Sequence, residues 1–120
     1  MPLRCLIVDD NASFLGEAAA RLQRDGIVIA GVASNTREAL ERVREVKPDV
    51  ALVDIWLGPE SGLELARRLV DVDGGAPTVI LISTHAETDV AELIEEAPVA
   101  GFVPKTELSA AAIQRVLELA

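Results

Sequence analysis

The stretch Val50-Ala51-Leu52-Val53-Asp54 is an unbroken apolar run that stops at a single carboxylate. No polar residue alternates within it, the pattern of a strand buried on both faces of a parallel sheet. Three other runs follow the same plan. Leu6-Ile7-Val8 leads into Asp9-Asp10, Thr78-Val79-Ile80-Leu81-Ile82 into Ser83, and Gly101-Phe102-Val103-Pro104 into Lys105. If all four are parallel strands of one sheet, their carboxyl ends share an edge, and that edge is where open α/β sheets bind ligands. Three carboxylates, a hydroxyl and an ammonium would then converge on one spot. Such a set suits a divalent cation and a phosphoryl group.

Between these runs lie helical patterns. Phe14, Leu15, Ala18 and Leu22 form an apolar stripe at helical spacing, as do Leu40, Val43 and Val46. The reading predicts strands near residues 4–8, 27–32, 50–54, 78–82 and 99–103. Helices are predicted near 12–24, 36–46, 62–71, 88–96 and 108–119. Punctuation agrees: Asn35 with Glu38 resembles a capping box, Gly26 closes the first helix and Lys47-Pro48 the second, and the 73–77 stretch, rich in Gly and Pro, marks a loop. Five alternating βα units with right-handed crossovers give a doubly wound α/β fold. No repeat, low-complexity tract or linker interrupts them.

Composition narrows the function. With 120 residues, half of them hydrophobic, the chain suits one compact domain over residues 1–120 with a full core. Only two Phe and one Trp occur, so aliphatic side chains must fill that core. The net charge of −9 argues against direct nucleic acid binding, which needs Lys and Arg to neutralise phosphates. The apolar N-terminal stretch is broken by Arg4 and Asp9, too short for a signal peptide or a membrane span. Cys5, the sole cysteine, has no intrachain partner, which fits a reducing compartment. A cytoplasmic protein without membrane association is expected.

Taken together and in order, these residues make the chain resemble the receiver domain of two-component response regulators, over all 120 residues. The resemblance implies a flavodoxin-like sheet of strand order 2-1-3-4-5. It implies that Asp9-Asp10 are the acidic pair, Asp54 the phosphoacceptor, Ser83 the switch hydroxyl, Phe102 the aromatic switch and Lys105 the conserved-type lysine. Gly62, eight residues after Asp54, matches the glycine that opens the third helix. Mg²⁺ (or Mn²⁺) would be held by Asp10 and Asp54 directly, by Asp9 through water and by the Trp56 backbone carbonyl. The partners implied are a sensor histidine kinase or phosphotransfer protein and a downstream effector or output domain. A phosphorylation-dependent dimer is a further expectation. The chain would be a regulatory phosphoacceptor rather than an enzyme, with no output domain of its own. The Leu108–Ile113 stretch is similar to receivers of the NarL/FixJ type.

Each residue also has a plainer reading. Asp9 and Asp10 would serve as helix caps, Ser83 as a polar strand end, Phe102 as a core aromatic, and Lys105 as an exposed lysine beside Glu107. His85, with no second His in the chain, reads as an exposed loop residue rather than a transition-metal ligand. Two other functional classes share parts of the pattern. A haloacid-dehalogenase-type phosphohydrolase would carry its nucleophile in Asp-x-Asp after the first strand, where Asp9-Asp10-Asn11 stands. A flavin-binding carrier would need Ser, Thr or Gly there, and two aspartates would repel its phosphate.

The chain departs from the family pattern at three points. Gly58 stands where the family usually has proline, with Pro59 one later. Thr106 follows Lys105 where proline is usual, which leaves the isomer of that peptide bond open, since a cis bond without proline costs about 3–4 kcal/mol. Thr84 follows Ser83 where Ala or Gly is favoured. With Trp56, Thr84 is expected to gate access of water to the phosphoryl group.

Overall fold

The computed structural model describes residues 2–72, 74–84 and 87–119, with the backbone alone at 87–90. Five strands, β1 (Arg4–Val8), β2 (Val28–Ala33), β3 (Val50–Asp54), β4 (Thr78–Ser83) and β5 (Gly101–Pro104), form one parallel sheet. Their spatial order is β2-β1-β3-β4-β5, as the resemblance implied. Five helices connect or follow them: α1 (Ala12–Arg24), α2 (Thr36–Val46), α3 (Gly62–Leu69), α4 (Glu87–Glu95) and α5 (Ala110–Leu119).

Alternate strand residues feed two cores, because successive side chains of a strand point to opposite faces. Leu6, Val8, Ala51, Val53, Val79, Leu81 and Phe102 pack with α2 and α3 on one face. Cys5, Ile7, Val50, Leu52, Ile80, Ile82 and Val103 pack on the other, with Ala18 and Leu22 of α1 and Ile113 of α5. Both faces of the central strands are covered, which accounts for the missing polar alternation.

Helix ends follow the punctuation with one difference. Asn35 Oδ1 accepts from the Glu38 amide at 2.9 Å, but Glu38 Oε1 reaches back to the amide and hydroxyl of Ser34, at 2.9 and 2.8 Å, rather than to Asn35. Those two bonds hold the Glu38 carboxyl below its ordinary pKa. Lys47, at φ 46°, closes α2 in the left-handed conformation and Pro48 prevents its continuation.

Several boundaries move. The strand predicted at 99–103 is Gly101–Pro104, although the Ala100 amide already bonds to the Val79 carbonyl at 2.8 Å. The last helix starts at Ala110, not 108, because Lys105–Glu107 form a 3₁₀ turn and Ser109 Oγ accepts from the Ala112 amide at 3.0 Å as the cap. Helix α3 ends at Leu69 rather than 71, and the released Val72 packs against the first core.

The segment after β3 holds the clearest departure from the family pattern. Trp56–Leu57 pairs antiparallel with Glu60–Ser61, with Gly58-Pro59 as the two-residue turn. Gly58 has φ 62°, which proline cannot adopt, while Pro59 keeps φ negative. Positive then negative φ is the type II′ hairpin pattern, with glycine at its first central position. The proline therefore stands one residue late because the turn needs glycine first. Glu60 ties the hairpin to α2, its Oε1 accepting from the Thr36 amide at 2.8 Å.

Candidate functional site

The sheet register carries the polar strand ends to one edge. Val8 lies opposite Val53, so Asp9 follows beside Asp54. Asp54 lies opposite Ile82 and Ser83 opposite Pro104, so Lys105 follows just beyond Ser83. One oxygen each from Asp9, Asp10 and Asp54 can be chosen so that all lie within 4.8 Å of one another.

Asp54 is buried and held from two sides. Its Oδ2 accepts from Lys105 Nζ at 3.0 Å and its Oδ1 from the Trp56 amide at 3.2 Å. Burial raises its pKa, and the bonds from Lys105 and Trp56 only partly offset that. Repulsion from Asp9 is the smallest contribution, so burial, more than crowding of carboxylates, is what raises it. Asp9 is fully buried: Oδ1 accepts from the Asn11 amide at 2.9 Å, and Oδ2 forms an ion pair with Lys105 without a well-angled hydrogen bond. Asp10 is exposed. The cap of α1 is Asn11, whose Oδ1 accepts from the Phe14 amide at 3.1 Å, so neither aspartate serves as the cap.

Lys105 is no surface lysine, since 11% of its side chain is exposed and it bridges Asp9 and Asp54. Burial works against its charge, but the two carboxylates overcome this and raise its pKa. The bond to Thr106 is not cis, no cis peptide occurring among the described residues. The residue that sequence reading missed is Phe14. Helical spacing places it in the core stripe of α1, yet Lys105 Nζ lies 4.5 Å from its ring centroid. Helical spacing records that Phe14 faces inward and says nothing of which residue from β5 it meets.

Ser83 is fully buried at the end of β4, and Phe102 packs in the first core. Thr84 is exposed and, with Asn11, Phe14 and Lys105, lines a cleft between α1 and the β5–α5 connection. Trp56 is 49% exposed. His85 lies outside the described residues. Gly62 opens α3 where no side chain fits: a Cβ there would fall 1.8 Å from the Asp54 carbonyl oxygen.

These hard oxygen donors fit a small divalent cation. The set combines a buried Asp9 whose Oδ2 is paired with Lys105, a buried Asp54 and an exposed Asp10 open to water-bearing ligation.

The family model of the response regulator receiver domain matches residues 5–117. The chain belongs to that family. This receiver domain is 30% identical to the chemotaxis protein CheY of Thermotoga maritima over 95 residues, 79% of each chain. It is 34% identical to a response regulator receiver protein of Anaeromyxobacter sp. over 116 residues, 97% of this chain but 46% of that one. A putative transcriptional regulator of Pseudomonas aeruginosa is likewise matched over 50% of its own length. Among solved structures, the receiver domain of the putative response regulator NarL from Mycobacterium tuberculosis superposes with a TM-score of 0.81 at 26% identity, covering 97% of both chains. Among the described residues, no helix of the receiver is long and apolar enough to cross a membrane.

Proposed function

We propose that this receiver domain is a phosphoryl-accepting signalling switch with Asp54 as the acceptor. The observation that carries the reading is the double hold on Asp54, with Lys105 on one carboxylate oxygen and the Trp56 amide on the other. An Asp54 oxygen forms a bond to phosphorus while the bond from phosphorus to a kinase histidine nitrogen breaks. The electron pair of that bond leaves with the imidazole. The product is an acyl phosphate carrying about two negative charges where the carboxylate had one. Lys105 supplies a fixed positive charge to the phosphoryl oxygens, and such neutralisation is the main requirement of phosphoryl transfer.

Asp9, Asp10, Asp54 and the Trp56 carbonyl would hold Mg²⁺ (or Mn²⁺), which when bound neutralises charge on the transferring oxygens. Ser83 turns toward a phosphate oxygen, and Phe102 follows into the space released. The α4–β5–α5 face thereby changes shape, a local charge event with a surface readout. Partners are a sensor histidine kinase or phosphotransfer protein on the input side and an effector, an output domain or a second copy on the other. The phosphohydrolase alternative loses support because Asp9 is buried against Lys105 and is not free to attack.

The deciding experiment is intact-mass measurement after acetyl phosphate and Mg²⁺ treatment. Wild type should gain one phosphoryl group and Asp54→Asn none. Equal labelling of both proteins would move the acceptor elsewhere.

A further inference from the structure

We propose that Phe14 is a positioning residue for phosphoryl transfer, its ring holding the Lys105 ammonium where the phosphoryl oxygens arrive. The inference rests on the phosphoacceptor reading above. Lys105 Nζ lies 4.5 Å from the ring centroid, within the range of a cation–π contact. The lysine side chain is 89% removed from water, its exposure being 11%, and such contacts strengthen as the cation is desolvated.

The position of Phe14 is tied to Asp9 through the first turn of α1. The Asn11 amide donates to Asp9 Oδ1, and Asn11 Oδ1 in turn accepts from the Phe14 amide. Two successive hydrogen bonds thus lead from the carboxylate that pairs with Lys105 to the residue whose ring lies against Lys105. The same turn that starts α1 locates both contacts of the ammonium on that side.

A neutral aromatic partner has a specific use here. A lysine ammonium is a point charge on a flexible stem. To serve an incoming phosphoryl group it must give up its bond to Asp54 Oδ2 without leaving the site. A third carboxylate would hold it but compete with the phosphoryl oxygens for it. An aromatic face holds it with a weaker, less directional attraction that need not be broken.

Phe14 also packs against the second core, so shape and electrostatics must be separated. Stepwise fluorination of the ring weakens its negative face while changing its shape little. The experiment replaces Phe14 site-specifically with mono-, di- and trifluorophenylalanine and measures the rate of phosphorylation by acetyl phosphate at saturating Mg²⁺. The logarithm of the rate should fall stepwise with fluorine count, about threefold to thirtyfold in all, with melting temperatures nearly constant. Phe14→Trp should retain the wild-type rate and Phe14→Leu should lose it.

A second measurement needs neither donor nor metal. Ring-current shifts should move the Lys105 ε-methylene protons upfield in wild type and vanish in Phe14→Leu. A flat fluorine series in a protein that phosphorylates normally, or the absence of that proton shift, overturns the inference. A wild type that accepts no phosphoryl group overturns the phosphoacceptor reading, and this positioning role with it.

Discussion

Gly62 touches the backbone of Asp54: its amide donates to the Ile55 carbonyl at 2.8 Å, and a Cβ added to it would stand 1.8 Å from the Asp54 carbonyl oxygen. The neighbour is backbone, which cannot yield as a side chain would. Gly62→Ala should therefore displace the end of β3 and the hairpin that follows. We expect a loss of about 1–3 kcal/mol or more in stability, the scale of overpacked sites. Phosphorylation at Asp54 should fall by more than tenfold, since a 1 Å misplacement costs of order a hundredfold in rate. Denaturant unfolding and acetyl phosphate kinetics on the same variant check both.

Lys105 separates two buried carboxylates, and removing it leaves their charge uncompensated. Lys105→Met should lose about 3–5 kcal/mol in metal-free buffer, the cost of stranding a buried partner. Added Mg²⁺ should return part of that stability, because the cation replaces the missing charge. Thermal unfolding with and without Mg²⁺ tests this; a variant indifferent to Mg²⁺ would contradict a metal site at Asp9, Asp10 and Asp54.

Trp56 is the sole tryptophan and its amide bonds to Asp54, so its fluorescence should report cation binding. A Mg²⁺ titration should give a weak, saturable change, as expected of a site that keeps several waters. The change should disappear in Asp10→Ala, and identical titrations of the two proteins would remove Asp10 from the ligand set.

Thr84 and Trp56 are exposed, and each stands beside a residue of the site, Thr84 after Ser83 and Trp56 two after Asp54. Both should hinder the water that attacks the acyl phosphate in line. Thr84→Ala and Trp56→Ala should each shorten the phosphorylated lifetime, by about threefold to thirtyfold. Decay of the phosphorylated species measured by mass or radiolabel is the check, and unchanged lifetimes in both would show that neither gates water.

Cys5 is fully buried in β1, and burial, assisted by nearby Asp49, pushes its thiol from 9.0 up to about 12. The folded chain therefore holds a proton that the unfolded chain releases above pH 9. The thiol's contribution to stability is fully present below pH 9 and is lost as pH rises toward 12, at about 1.4 kcal/mol per pH unit. Unfolding of wild type and Cys5→Ala across that window should show the difference shrinking as the pH rises. Alkylation of Cys5 in the folded protein should be negligible at pH 8.

Runs such as Val50–Val53 and Ile80–Ile82 are legible in sequence because a strand covered on both faces tolerates no polar residue, and their polar ends at Asp54 and Ser83 followed from that. Asp9, Asp10 and Lys105 were legible for the same reason, each lying just past a strand end. The local physics of caps was also legible at Asn35 and Lys47, while the exact partner of Glu38 was not, since its carboxyl takes the amide and hydroxyl of Ser34 in place of the Asn35 amide.

What sequence alone determined was the order of the five βα units and the identity of the polar residues at their ends. Periodicity and strand stops are properties of neighbouring residues, and neighbours in sequence suffice to define them. Only tertiary structure decided which of those groups touch. The pairing of Lys105 with both Asp9 and Asp54, the ring of Phe14 against the ammonium, and the latch of Glu60 onto α2 all join residues distant along the chain. Those contacts depend on sheet register and helix packing, which are set by the filling of two cores at once and by no local pattern.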